Sequence, residues 1–176
     1  MKIRKMELNE ISERIDPIVS MRNDNWFLVT AKNSRGQVNG LTAAWGAFGN
    51  VCSKPTMTVY IRPQRYTKKF VDEAGIFTMT FFDFQQYKDA LVYMGFKSGA
   101  EDPDKIKNSG LHIADVEGYP SYQEGKYVIV CCPFFQQQLL QNGFIDKEIE
   151  KQCFADHDNS VMYISEILGV YEILNG

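Results

Sequence analysis

The stretch TMTVYIRPQRYTKKFVDEAG, Thr56–Gly75, changes its periodicity half-way. Thr56 to Pro63 is rich in β-branched and aromatic residues and reads as a strand that stops at Pro63. A short helix then begins at Thr67, the expected N-cap, with Tyr66 stapled onto Val71. Phe70, Val71 and Ala74 form its apolar face, and Gly75 suits the position just past its end. The charges run against the usual rule. A helix N-terminus favours acids, yet Arg62, Arg65, Lys68 and Lys69 gather there, and Asp72 and Glu73 sit at the other end. Free N–H groups, a hydroxyl, two guanidinium and two ammonium groups are the equipment of a phosphate site. The alternative is a solvated basic turn.

Outward from this stretch the chain is mostly strand. NWFLVTAKN (Asn25 to Asn33) reads as a strand and SRG as a turn; QVNGLTAAWGAFGN continues as a strand into a glycine-punctuated loop. IFTMTFF is a strand, and Phe84, Tyr87, Leu91 and Met94 recur at helical spacing, predicting a helix from about Phe84 to Tyr93. KSGAEDPDKIKNSGL is turn-rich with one helical turn inside it. HIADVEG, KYVIVCCPFFQQQLL and SVMYISEILGVYEIL complete the strands, with Pro133 marking an edge or a bulge. ELNEISERI opens the chain as an amphipathic helix. Many strands and few helices, without regular alternation, predict a mainly β fold: a small β-barrel with peripheral helices, residues 1–176 forming one domain.

Charge and composition bound the function. A net charge of −3 argues against a general nucleic-acid binder, so the local cations suit a small anion. No apolar run is long enough for a membrane span, and the N-terminus lacks the apolar core of a secretory signal. Cys52, Cys131, Cys132 and Cys153 lack zinc-site spacing and read as free thiols of a cytoplasmic protein; Cys52 is expected to be a half-buried, inert thiol.

A second candidate site is NGLTAAWGAFGN, Asn39 to Asn50. Gly40, Ala43, Ala44, Gly46, Ala47 and Gly49 would let a flat ligand approach the backbone, with Trp45 against an aromatic ring system. The alternative is a tight corner with Trp45 in the core. The strand from Thr56 to Arg62 joins the two candidates and spans roughly 20 Å, a suitable length for the two ends of one nucleotide. Lys97 and Ser98 would add donors to an anionic ligand, or else form a solvated loop. His112 and His157 stand apart, ADHDN (Ala155 to Asn159) reads as a polar turn, and no metal site or catalytic triad is legible.

Four blocks taken together, NGLTAAWGAFG, KPTMTVYIRPQRYTKKFV, FTMTFFD and GFKSGAEDPDKIKNSGL, resemble the flavin reductase-like family that includes flavoredoxin. The resemblance runs from Asn25 to Glu172. It implies an FMN-binding split β-barrel, a homodimer with flavin near the subunit interface. Thr42, Ala43, Ala44 and Trp45 would line the isoalloxazine ring, and Arg62, Arg65, Tyr66 and Thr67 would hold the phosphate and ribityl tail. Lys97 and Ser98 would reach the flavin, and no side chain need act as catalytic acid. The implied activity is an FMN-dependent oxidoreductase moving electrons from a reduced nicotinamide or a protein donor to an acceptor. The alternatives are a non-enzymatic electron carrier and a domain for another phosphorylated ligand, including a single strand of nucleic acid. Ala44 and Ala47 depart from the Ser or Gly expected in such relatives, which bears on hydrogen bonding to the ring and on access over it.

Overall fold

The computed structural model describes residues 1–14, 26–154 and 158–174. Ile15 of the expected opening helix, Asn25 of the expected strand and Ala155 to His157 of ADHDN lie outside them. The elements run β1 (Lys2–Met6), α1 (Leu8–Arg14), β2 (Phe27–Lys32), β3 (Val38–Ala43), β4 (Gly46–Val51), β5 (Lys54–Ile61), α2 (Tyr66–Ala74), β6 (Phe77–Phe81), α3 (Phe84–Phe96) and α4 (Lys105–Asn108). They continue with β7 (Ile113–Val116), β8 (Tyr119–Tyr122), β9 (Tyr127–Gln138), α5 (Lys147–Phe154) and β10 (Val161–Leu174).

One antiparallel sheet has the order β3-β2-β6-β9-β10-β5-β4, and β1 also pairs with β10. The long β10 has β9 on one side; on the other, its first half pairs with β5 and its second half with β1. Side-chain alternation explains why the sheet curls. Phe27, Val29 and Ala31 join Met57, Val59, Ile61, Met79, Ile129 and Cys131 in one core, which draws on strands from distant parts of the order. Their neighbours Leu28, Val128 and Val130 face the other way, Leu28 under α3 and the two valines in the cluster of Val116 and Tyr171. Each fully buried Val, Ile or Met side chain stabilises by about 1.5–3 kcal/mol. The mainly β barrel predicted from the sequence is the observed fold.

Several elements differ from expectation. Gly46–Val51 is a strand, not a loop: it pairs with β5 through a two-residue turn in which Cys52 and Ser53 both have positive φ, 54° and 60°. That geometry matches the twist of a hairpin, but Cys-Ser is not the usual residue pair for it. Cys52 is exposed at this turn rather than half-buried. β1 precedes the expected helix, and β8 is an added strand, pairing with the expected strand of HIADVEG, β7, as a hairpin. Pro133 combines both of its expected settings. Phe134 is an extra residue between the Ser165 and Ile164 pairings, and β6 stops pairing with β9 at Cys131.

The two longer predicted helices form. In α3 the Asp83 carboxylate accepts from the Gln86 N–H at 3.3 Å, while Leu91 and Met94 pack beneath. In α2 the residue at the N-cap is Arg65, not Thr67, and it makes no side-chain capping bond. Tyr66 meets Phe70, edge-on at 5.3 Å between ring centroids, within the first turn. Gly75 ends α2 with φ 64°, its N–H donating to the Val71 carbonyl.

Candidate functional site

Arg62-Pro63-Gln64-Arg65 is a β-turn closed by the Arg65 N–H on the Arg62 carbonyl at 3.1 Å. Proline at its second position presets the backbone for that turn. The turn brings both arginines into the lining of one cavity of about 400 Å³. The end of β3 supplies Leu41, Thr42 and Ala43, with Ala44 and Trp45 following; β5 supplies Tyr60 and Ile61; α3 supplies Leu91, Val92, Gly95 and Phe96. Trp26 and Ser160 complete the wall.

The wall is held by specific contacts. The Thr42 hydroxyl donates to the Leu91 carbonyl at 2.5 Å and ties β3 to α3. A Cβ added at Gly95 would lie 3.4 Å from that of Thr42, an ordinary contact, so α3 and β3 pack here at normal separation. Trp45 is 41% exposed and stands edge-on to Phe154 of α5, ring centroids 5.9 Å apart, so it forms rim rather than core. Phe96, at 86% exposure, forms another part of the rim.

The electrostatics are one-sided. Arg65 Nη1 donates to the Gly95 carbonyl at 2.6 Å, and Arg62 Nη2 to the Cys153 carbonyl at 3.2 Å. No carboxylate among the described residues pairs with either guanidinium. Burial, and then the Arg62 charge, push the Arg65 pKa below its ordinary value. Two like charges facing one cavity, partly desolvated and bonded only to carbonyls, favour an anion between them. Among the described residues no Asp, Glu, His or Cys lines the cavity.

Of the ten residues singled out from the sequence, the cavity gathers Thr42, Ala43, Ala44, Trp45, Arg62 and Arg65. The other four stand outside its lining. The Thr67 hydroxyl is buried and donates to Asn39 Oδ1 at 3.0 Å. The Tyr66 ring packs on Phe70 with the Lys69 ammonium 5.6 Å from its centroid. Lys97 caps α3 through its backbone N–H and its side chain is exposed; the Ser98 hydroxyl accepts from the Ala100 N–H at 3.2 Å. Lys68 pairs with Asp72 at 2.6 Å, so the expected six-group convergence at the helix start reduces to the two arginines. Gly40 serves packing: an added Cβ would come within 2.3 Å of Tyr122 Oη. Ala47 lies on β4, outside the lining.

Sequence reasoning missed Trp26, Leu41, Tyr60, Ile61, Leu91, Val92, Gly95, Phe96 and Ser160. Tyr60 and Ile61 were readable as the residues leading into Arg62. The α3 residues carry no signal of their own, since an apolar helix face looks the same over a core or a cavity. His112 pairs with Glu124 at 2.7 Å on the surface, and no group of three metal-binding side chains occurs among the described residues.

No family model matches the chain. The FMN-binding domain of a flavin reductase-like enzyme from Shewanella baltica superposes with a TM-score of 0.68 at 20% identity, over 97% of this chain and 77% of its own. The chain has the split-barrel fold. Flavoredoxin of Desulfovibrio vulgaris aligns with this split barrel at a TM-score of 0.61 and 26% identity, covering 82% of it and 67% of the flavoredoxin. An FMN-binding protein from Thermus thermophilus, solved with bound p-hydroxybenzaldehyde, gives 0.62 at 20% identity over 84% of this chain and 70% of its own. In sequence, an uncharacterized protein of Aeropyrum pernix is 30% identical over 129 residues, 72% of this split barrel and 46% of that protein. The chain thus spans about half the length of the curated relative it matches.

Proposed function

We propose that the chain is an FMN-dependent oxidoreductase of the flavin reductase and flavoredoxin type. It would take electrons from a reduced nicotinamide or a protein donor and deliver them to an acceptor. One observation carries this reading: Arg62 and Arg65, without carboxylate partners among the described residues, line the same cavity as a mostly aromatic and aliphatic set of side chains. The volume and the character of the lining fit a flat, apolar ligand with an anionic tail. FMN, when bound, would supply the hydride and electron chemistry.

The chain's own residues divide the remaining work. Arg62 and Arg65 would grip the phosphate, each able to offer two parallel N–H donors. Trp45 and the Thr42–Ala44 backbone would face the ring, and Leu91, Val92 and Ile61 would keep water from it. Tyr66, Thr67, Lys97 and Ser98 would act from behind the wall, through the placement of α2 and of the loop after α3.

We take the working form to be a homodimer in the cytoplasm. Exposed Phe134, Phe135 and Leu140 offer apolar surface for a second copy, and all four cysteines are free.

An absorbance titration of the purified protein with FMN tests the reading. Saturable uptake is expected, with a loss of affinity of at least a hundredfold, about 3 kcal/mol, in Arg62→Ala/Arg65→Ala. Protein that takes up no FMN, or a double variant that binds it unchanged, refutes the site. Anaerobic addition of NADH or NADPH to the loaded protein then separates the reductase from a carrier, which would stay oxidised.

A further inference from the structure

Lys105, on α4, is 3% exposed yet has no carboxylate within bonding distance among the described residues. Its ammonium donates to the carbonyls of Lys97 at 2.8 Å and Met94 at 3.2 Å. Between these two in sequence lies Gly95, whose carbonyl takes the Arg65 guanidinium. Two cations from separate elements therefore hold the last turn of α3. That turn carries Gly95 and Phe96 into the cavity wall and starts the loop of Lys97 and Ser98.

Burying an unpaired ammonium is expensive, and a salt bridge or a neutral side chain would serve packing alone with less cost. The charge matters at this place because Arg65 is its neighbour. Given the flavin reading above, we propose that Lys105 is a positioning residue of the anion site, fixing the α3 terminus that seats Arg65 and adding a rear positive charge for the phosphate. Its surroundings set how that charge responds to pH. Arg65, at the start of α2, opposes protonation, and Asp102, in the loop before α4, favours it. The Asp102 carboxylate is itself held by Tyr93 Oη of α3 at 2.9 Å and by Asn108 Nδ2 of α4 at 3.0 Å. Burial, then Arg65, bring the lysine down to about 8, so it loses its proton within an accessible range.

A bound phosphate must then favour the protonated lysine, and deprotonation must weaken phosphate binding in return. FMN and riboflavin share a ring and differ in the phosphate, so the two are titrated side by side from pH 7 to pH 9. FMN affinity is expected to fall about fivefold over that range, while riboflavin affinity stays level. Lys105→Met should bind FMN weakly with a flat profile, and Lys105→Arg should bind it well with a flat profile. In wild-type protein the Lys105 side-chain NMR signal should titrate higher with FMN than with riboflavin, a measurement that needs no variant. Parallel pH profiles for the two flavins, a sloping profile kept in Lys105→Met, or a lysine midpoint indifferent to the phosphate would overturn the proposal. A protein that takes up neither flavin at any pH overturns the flavin reading itself, and the role of Lys105 with it.

Discussion

Arg65 reaches across from the start of α2 to donate to the Gly95 carbonyl at the end of α3, at 2.6 Å. A cation at a helix C-terminus meets the negative end of the helix dipole, so this contact stabilises α3 as well as shaping the cavity. Arg65→Lys keeps the charge but loses the fork of donors. We expect it to lower FMN affinity about tenfold and leave the melting temperature within a few degrees of wild type. Arg65→Ala should lose both. Flavin fluorescence titration and thermal melts read the two effects separately.

Gly40 and Tyr122 form a second tight pair. A methyl at position 40 would come within 2.3 Å of Tyr122 Oη, which also accepts from the Thr30 hydroxyl at 3.0 Å. Gly40→Ala should destabilise by about 1–3 kcal/mol through overpacking. Tyr122→Phe should cost about 1–2 kcal/mol by leaving the buried Thr30 hydroxyl without its acceptor. In the double variant the clash with Oη is gone, so urea melts should give less destabilisation than the sum of the single changes.

Thr42→Val removes the hydroxyl that ties β3 to the Leu91 carbonyl and keeps the shape. We expect a loss of about 1 kcal/mol in stability. We expect a larger loss in FMN affinity than any change remote from the cavity produces, because α3 is one of its walls. Equal FMN affinity in wild type and Thr42→Val, by isothermal titration, would show that this tie does not set the wall.

Lys105 also gives the apoprotein a pH signature. Its folded-state pKa, about 8, lies below the ordinary lysine value of 10.5. Above pH 8 the unfolded chain holds this proton and the folded chain releases it, so this group's contribution to stability rises with pH. The window closes near pH 9.5, roughly where unfolded tyrosines begin to ionise; burial raises the folded Tyr122 above its ordinary value and reverses the sign. Urea midpoints of wild type should therefore gain on those of Lys105→Met as the pH rises from 8 to 9.5.

The barrel was legible because its strands carry period-2 patterns that bury one face in each direction, as in Phe27 to Ala31 and Tyr127 to Cys131. The two arginines were legible because Pro63 between them announces a turn. Thr67 misled for a physical reason. Its side chain suits an N-cap, but one turn of α2 lies against β3, and there the Asn39 amide takes the hydroxyl. Lys105 was illegible because a lysine in a polar turn-rich run reads as solvated; only the fold turns it inward beneath the end of α3. β4 was hidden by its glycines, which an edge strand tolerates and a central strand would not.

Beyond Cys131, the second half of β9 runs with β10 along one side and, among the described residues, no strand along the other. Pro133 interrupts that margin with a nitrogen that cannot donate, and the Phe134 bulge shifts the register next to it. A foreign strand laid there would find no continuous ladder to extend, so the margin is guarded against runaway edge-to-edge stacking.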